Sequence, residues 1–266
     1  MRKLDLTEIR AVELDILRNF DAFCKSSGIR YYLSNGTLLG AVKYKGFIPW
    51  DDDIDVLVPR ADYERLIALY QDTEHYRLFS MERHKDYAFP FAKLCDMRTR
   101  KEETNINNGT ELGIDIDIFP LDAWANKPSQ QNREVKCISF LMFLLGSSKM
   151  KKAIASVKTK QMILTIIMMI GKLFRSRTFC KLMVWAAKRK PQQSAYIGCK
   201  VWPIYGCREI IPAEVFSGIV DVTFEGEQYP APGGYDAYLR RLYGEYENDP
   251  PIEKQKTHHS YEGYMV

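Results

Sequence analysis

From Val135 to Arg208 the sequence contains no aspartate and no glutamate, while fifteen lysines and arginines fall within it. The chain of 266 residues carries a net charge of only +4, so everything outside that stretch sums to −11. An acidic portion and a strongly basic portion share one polypeptide, and the basic one calls for an anionic partner. The six cysteines (Cys24, Cys95, Cys137, Cys180, Cys199, Cys207) form no C-x-x-C pair. That argues against a zinc site or a disulfide framework and fits reduced, mostly buried thiols in a cytoplasmic protein. Internal repeats and low-complexity tracts are missing too, which excludes a solenoid or a disordered tail. No apolar core of a signal peptide follows Met1-Arg2-Lys3. The longest uncharged runs in the basic stretch are Cys137–Ser148 and Gln161–Gly171, twelve and eleven residues. A spanning helix needs about 20, so a membrane is expected to be touched rather than crossed.

What is present supports one sizeable core, since 46% of the residues are hydrophobic. Residues 5 to 27 read as a helix: Asp5 and Glu8 have capping-box spacing, Ile9, Val12, Ile16, Phe20 and Phe23 form a stripe, and Gly28 ends it. A short β-like run at 30 to 34 leads into an Asn35-Gly36-Thr37 turn, and Leu38 to Tyr44 suits one or two helical turns. Asp53 to Val58 alternates as a strand, and Pro59 opens a helix whose buried face is Tyr63, Leu66, Ile67 and Tyr70. Further strands are expected at 76–80, 89–95 and 113–119. Beyond about residue 128 the pattern turns helical, with Phe179, Leu182, Met183 and Ala186 on one face. A β-like run at 220–224 and a helix at 235–243 follow. The reading is an α/β catalytic core at 1–128, a basic helical insertion at 129–192, and a C-terminal segment at 193–266 that returns to the core.

The chemistry concentrates in Asp51-Asp52-Asp53-Ile54-Asp55-Val56. Alternate residues of a strand share a face, so Asp53 and Asp55 project together while Ile54 and Val56 enter the core. Two neighbouring carboxylates repel unless a cation sits between them, and a hard ion such as Mg²⁺ or Mn²⁺ prefers such oxygen ligands. Gly36-Thr37 lies upstream at the start of a helix, where backbone N–H groups approach an anion closely and the Thr37 hydroxyl adds a donor. Ile114-Asp115-Ile116-Asp117-Ile118 supplies two further carboxylates on one strand face, and periodicity treats Asp115 and Asp117 alike.

The run from Ser34 to Val56 resembles the signature of the LicD family of cholinephosphotransferases, whose core is related to that of the fukutin-related proteins. The likeness continues at Pro59-Arg60-Ala61-Asp62-Tyr63, Phe91-Ala92-Lys93-Leu94-Cys95-Asp96 and Gly113 to Asp122. It closes at Pro230-Ala231-Pro232, Leu242 to Tyr246 and Pro250-Pro251. It implies a nucleotidyltransferase-like mixed sheet flanked by helices, and metal at Asp53 and Asp55 with Asp117 as third ligand, ranked above Asp115. It also implies transfer of phosphocholine from CDP-choline, or of a related alcohol phosphate such as CDP-ribitol supplies, to a hydroxyl of a lipid-linked or cell-surface glycan, with CMP released. Lipopolysaccharide and teichoic acid precursors are such acceptors.

Lys93 is then a candidate partner for a diphosphate oxygen, and Gly36, Thr37 and Trp50 for substrate contact. Tyr31, Tyr32, Trp50 and Tyr87 are candidates for an aromatic cage around a quaternary ammonium. Competing readings are a true nucleotidyltransferase with the same carboxylates, a glycosyltransferase, and a membrane-surface scaffold. A D-x-D this early in the chain disfavours the glycosyltransferase. Nucleic acid is not an expected partner, because no binding motif accompanies the basic stretch.

Overall fold

A computed structural model describes residues 1–103, 106, 110–152, 162, 165, 166, 168, 169, 171–189, 194–257 and 261–266. After strand β1 (Arg2–Lys3), helix α1 (Leu6–Ser27) is capped as its sequence demands. The Asp5 carboxylate accepts from the Glu8 N–H at 2.8 Å, and Glu8 accepts from the Asp5 N–H at 3.0 Å. Gly28, at φ +60°, closes the helix in the left-handed region. Ile9, Ile16 and Phe20 are buried with Leu17 and Cys24, whereas Val12 and Phe23 are half-buried. Glu13 also falls on the buried face, which a stripe of apolar residues alone does not foretell.

Strand β2 (Tyr32–Leu33) leads into α2 (Asn35–Lys43). The turn expected at residues 35–37 is therefore the first turn of a helix. Asn35 enters it at φ +46°, a backbone region that asparagine tolerates better than most residues. Its side chain is fixed from both ends: Nδ2 donates to Asp55 at 3.0 Å and Oδ1 accepts from the Tyr238 hydroxyl at 3.0 Å.

Strand β3 (Asp55–Pro59) starts two residues later than alternation suggests, because its pairing begins with Asp55 opposite Asp117. Ile54, Val56, Leu57 and Val58 are all buried, as in a central strand covered on both faces. Helix α3 (Arg60–Leu69) follows Pro59 directly and buries Tyr63 and Leu66, with Tyr70 just beyond it and Ile67 only half-buried. Strands β4 (Tyr76–Phe79), β5 (Ala92–Asp96), β6 (Thr99–Glu103) and β7 (Ile114–Ala123) come next. The basic stretch holds α4 (Pro128–Lys149) and α5 (Ser176–Lys188). The remaining elements are β8 (Tyr196–Cys199), β9 (Ile211–Pro212), β10 (Ile219–Phe224), β11 (Glu227–Pro232), α6 (Tyr235–Tyr243) and β12 (Tyr261–Met265).

The main sheet runs β2-β3-β7-β5-β4. Only β3 and β7 are parallel; the other pairs are antiparallel. β7 is ten residues long, and its far end also pairs with β8, which pairs with β9. β1, β12 and β6 form a second sheet, and β10 and β11 a hairpin. The largest core cluster joins α1 and α3 to this sheet, and a second one lies under α4 and α5 around Tyr87, Cys95, Ile138 and Met183. The mixed α/β architecture with flanking helices is the one expected.

The inward face of α5 is Phe179, Cys180, Met183 and Ala187. Leu182, expected inside, is 44% exposed, and Ala186 is half-buried. Cys180 packs as a small apolar residue and rotates the stripe. Of the run at 161–171, Ile163, Leu164 and Ile167 lie outside the described residues, as do Lys158 and Lys160. Among the described residues no helix is long and apolar enough to cross a membrane.

Candidate active site

Register places the acids. In the parallel β3–β7 pair Asp55 lies opposite Asp117, and in the antiparallel β5–β7 pair Lys93 lies opposite Asp117. The Asp55 N–H donates to the Thr37 hydroxyl at 2.8 Å, and Asn35 donates to the Asp55 carboxylate, so the first turn of α2 holds this aspartate in place. Asp55 is buried. Burial, then the neighbouring charges of Asp53 and Asp117, push its carboxyl well above the usual range. Asp53 stands two residues earlier in the approach to β3 and is half-exposed.

The Asp117 carboxyl is also raised, by burial first, with the Lys93 ammonium opposing. Lys93 bonds both to Asp117 and, at 2.7 Å, to Asp115. Asp115 pairs in turn with Lys101 at 2.5 Å. Burial works against charge on Asp115, but Lys101 and Lys93 outweigh it and hold its carboxyl at about 2. Asp115 is thus enclosed between two lysines, while the Asp117 side chain keeps 23% of its surface exposed. The structure ties the Lys93 ammonium to this pair of carboxylates.

The loop before β3 is held from both chain ends. Arg10 of α1 donates to the carbonyls of Ile48 at 2.8 Å, Pro49 at 2.9 Å and Asp51 at 2.6 Å. The Tyr261 hydroxyl of β12 donates to the Asp52 carbonyl at 3.1 Å. Neither contact was foreseeable from local pattern, because the partners lie about forty and two hundred residues apart in sequence.

A cavity of about 830 Å³ opens above Asp53 and Asp55. Gly36 and Trp50 line it as expected for substrate-contacting residues, while Thr37 is buried and its hydroxyl serves Asp55. A Cβ at position 36 would lie 2.5 Å from the Asp51 carboxylate, so a larger residue there would push that side chain aside. Of the aromatic residues proposed for a cage, only Trp50 faces this cavity. Tyr31 and Tyr87 are core residues, and Tyr32 lines a separate depression of about 490 Å³ at the far end of β3. In that depression Asp122 is gripped by Arg60 at 2.7 and 2.5 Å. The aromatic residues that do line the cavity with Trp50 are Tyr44, Tyr205, Tyr243 and Tyr246. Three of them come from a segment more than 150 residues downstream, where sequence offers no sign of their destination.

The chemistry of Asp53, Asp55 and Asp117 fits a hard divalent ion: all donors are oxygens, and their mutual repulsion is what such an ion offsets. Among the described residues no three acidic, histidine or cysteine side chains are already grouped tightly enough to hold one. Asp117 is directed to Lys93 and Asp55 to Asn35, so these side chains would turn to take a metal.

Residues 28–136 match the LicD/FKTN/FKRP nucleotidyltransferase domain. Along its full length the chain is 34% identical to the lipopolysaccharide cholinephosphotransferase LicD of Haemophilus influenzae, covering 100% of both chains. The chain belongs to the LicD family. It is accordingly a transferase of phosphate-containing groups. Uncharacterised proteins of Rickettsia typhi and Rickettsia prowazekii are each 32% identical to it over 63 residues, covering 23% of this chain and 20% and 24% of theirs. The resemblance read from the signature run is therefore shown for this LicD chain as a whole.

Proposed function

We propose that this LicD protein transfers phosphocholine from CDP-choline to a hydroxyl of a lipopolysaccharide precursor and releases CMP, with a divalent metal at Asp53, Asp55 and Asp117. The observation that carries the reading is the register of β3 against β7, which sets Asp117 opposite Asp55, a residue that lines a cavity large enough for a nucleotide donor. The full-length likeness to an enzyme named for the same reaction class supports it.

In the reaction the acceptor oxygen bonds to the phosphorus that carries choline. The bond from that phosphorus to the bridging oxygen breaks, and CMP departs with the electron pair. Asp117, half-buried and with its carboxyl raised by burial, is our candidate for taking the proton of the attacking hydroxyl. Lys93 steadies Asp117 in its charged form. Asn35 and Thr37 fix Asp55, and Gly36 leaves room beside Asp51. When bound, the metal would offset the charge that develops on the phosphate oxygens.

Incubation with CDP-choline, Mg²⁺ and lipopolysaccharide, followed by analysis of both products, tests the reading. CMP release with choline and phosphorus on the acceptor is expected. CMP found on the acceptor would instead make this a nucleotidyltransferase, and preference for CDP-ribitol would change the transferred alcohol.

The acceptor is carried on a lipid, and the exposed surface of the basic stretch suits a lipid boundary on the cytoplasmic face. Lys136, Phe140 and Phe143 fall on one outward stripe of α4, where Phe140 is 60% exposed. Lys181, Leu182 and Trp185 form a similar stripe on α5, where Trp185 is 57% exposed and the Arg189 guanidinium lies 4.5 Å from its ring centre. Basic residues near an anionic surface contribute about 1 kcal/mol each. Flotation with phosphatidylglycerol vesicles at low salt is expected to carry the protein upward, and Phe140→Ser with Trp185→Ser to abolish this. No flotation of the unaltered protein would overturn the docking.

A further inference from the structure

The depression of about 490 Å³ at the far end of β3 pairs an apolar wall with a basic rim. Leu121, Ala123, Ala187 and Phe216 line it and are buried. Arg30 and Lys188 also line it and are exposed, so they stand where the depression meets solvent. Its two acids already have cations. Asp122 accepts from Arg60 through both oxygens, and Glu64 pairs with Lys188 at 2.6 Å.

Arg30 is committed only in part. Its Nε donates to Asp62 at 3.0 Å, and Asp62 is shared with Arg65 at 2.9 Å. Among the described residues the two terminal nitrogens of Arg30 make no hydrogen bond, which leaves their donors for a ligand. Around the depression Arg30, Arg60, Arg65 and Lys188 face Asp62, Glu64 and Asp122, so the local balance is positive. Moving Lys188 from Glu64 to a ligand costs little, because both side chains are exposed.

The depression also adjoins the outward stripe of α5. Lys181, Trp185 and Lys188 recur at i, i+4 and i+7, so Lys188 carries that stripe to the edge of the depression. A ligand that answers both surfaces is an anion with a hydrocarbon body, met at a lipid boundary.

We infer that this depression holds the head of one anionic phospholipid, with its phosphate on Arg30 and Lys188 and the start of an acyl chain against Leu121, Ala187 and Phe216. The site rests on the docking reading for the source of the lipid and on the lining residues for its chemistry. Its consequence is orientation. β3 has five residues, so at about 3.3 Å per residue the depression lies about 13 Å along the strand from Asp55. A lipid held at one end of β3 leaves the catalytic cavity at the other, where it suits an acceptor hydroxyl that stands off from the lipid surface.

The test is calorimetric titration of the full-length protein with dihexanoylphosphatidylglycerol below its micelle concentration. Dihexanoylglycerol, which lacks the phosphate, and glycerol 3-phosphate, which lacks the chains, are titrated beside it. Saturable binding of the phospholipid is expected, at least about tenfold tighter than either comparison compound. Arg30→Gln and Lys188→Gln should each weaken it by about tenfold, the scale of a hydrogen bond to a charged group. Ala61→Phe, at an exposed lining position, should block the depression without removing a charge. Thermal unfolding confirms that each variant folds, and Arg65 still pairs with Asp62 in Arg30→Gln. No saturable binding by the unaltered protein, or unchanged binding by all three variants, overturns the site. Binding of glycerol 3-phosphate as tight as that of the phospholipid would make this a site for free phosphate esters and overturn the lipid. If the dispersed phospholipid binds as expected but vesicles do not carry the protein upward, the depression stands and docking through α4 and α5 falls. If vesicles carry the protein but the three variants titrate like the unaltered protein, docking stands and the depression falls.

Discussion

Asp55 is buried beside Asp53 and Asp117, and one side-chain amide, that of Asn35, donates to it. Its negative charge therefore opposes folding, which suits a residue we propose as a metal ligand. Asp55→Asn is expected to lower turnover by at least about a hundredfold, the scale seen when metal-site groups are altered, while the melting temperature holds or rises. Unchanged turnover would remove Asp55 from the site. Asp117 and Asp115 should differ in kind. Asp117→Asn should abolish turnover with little loss of stability. Asp115→Asn leaves Lys93 and Lys101 without their shared carboxylate, and breaking a buried pair costs about 3–5 kcal/mol. Initial rates and urea unfolding of the two variants check this. A pH effect belongs to Glu209, which is buried with its carboxyl pushed up to about 8 from an ordinary 4.5. Between those values the folded protein holds a proton that the unfolded chain has released, so this group makes stability fall as pH rises from about 4.5 to about 8. Glu209→Gln should flatten that part of the stability curve. At this scale the alternation of Asp53-Ile54-Asp55 was readable because it is local. The Lys93–Asp115–Lys101 arrangement was not, because it needs the register of three strands.

Elements bounded by their own residues were readable: the Asp5–Glu8 cap, the Gly28 stop and the helix at 235–243 follow from short-range chemistry. The helix at Asn35 was misread as a turn because its start depends on Tyr238 and Asp55, both distant in sequence. Likewise α5 is turned by one position because the cluster around Tyr87 accepts Cys180. Gly40 shows how an element governs the site. A Cβ there would collide with the Gly46 carbonyl and come within 3.1 Å of the Ile48 nitrogen, in the loop that carries Trp50 and Asp51. Gly40→Ala should therefore cost about 1–3 kcal/mol and reduce turnover, although alanine suits a helix better by about 1 kcal/mol. Gly28→Ala is the contrast: its Cβ meets nothing within 4 Å, but φ is +60°. It should cost about 1 kcal/mol and leave turnover unchanged. Thermal unfolding and initial rates on both variants separate loop displacement from backbone strain.

In the molecule as a whole, the cavity is assembled from α2, the loop before β3 and residues 204–250, with α1 and β12 gripping that loop from the two ends of the chain. The carboxylates proposed for the chemistry lie in the span matching the family domain, and most of the cavity's aromatic wall comes from outside it. That division explains why the reaction class was legible in one run of sequence and the aromatic wall of the cavity was not. The most direct test follows the phosphorus atom. CDP-choline labelled at the phosphorus next to choline is incubated with lipopolysaccharide, Mg²⁺ and either the unaltered protein or Asp55→Asn. Label on the acceptor, with unlabelled CMP released by the unaltered protein alone, is the result expected. Label retained in a nucleotide product, or equal transfer by Asp55→Asn, would contradict the account.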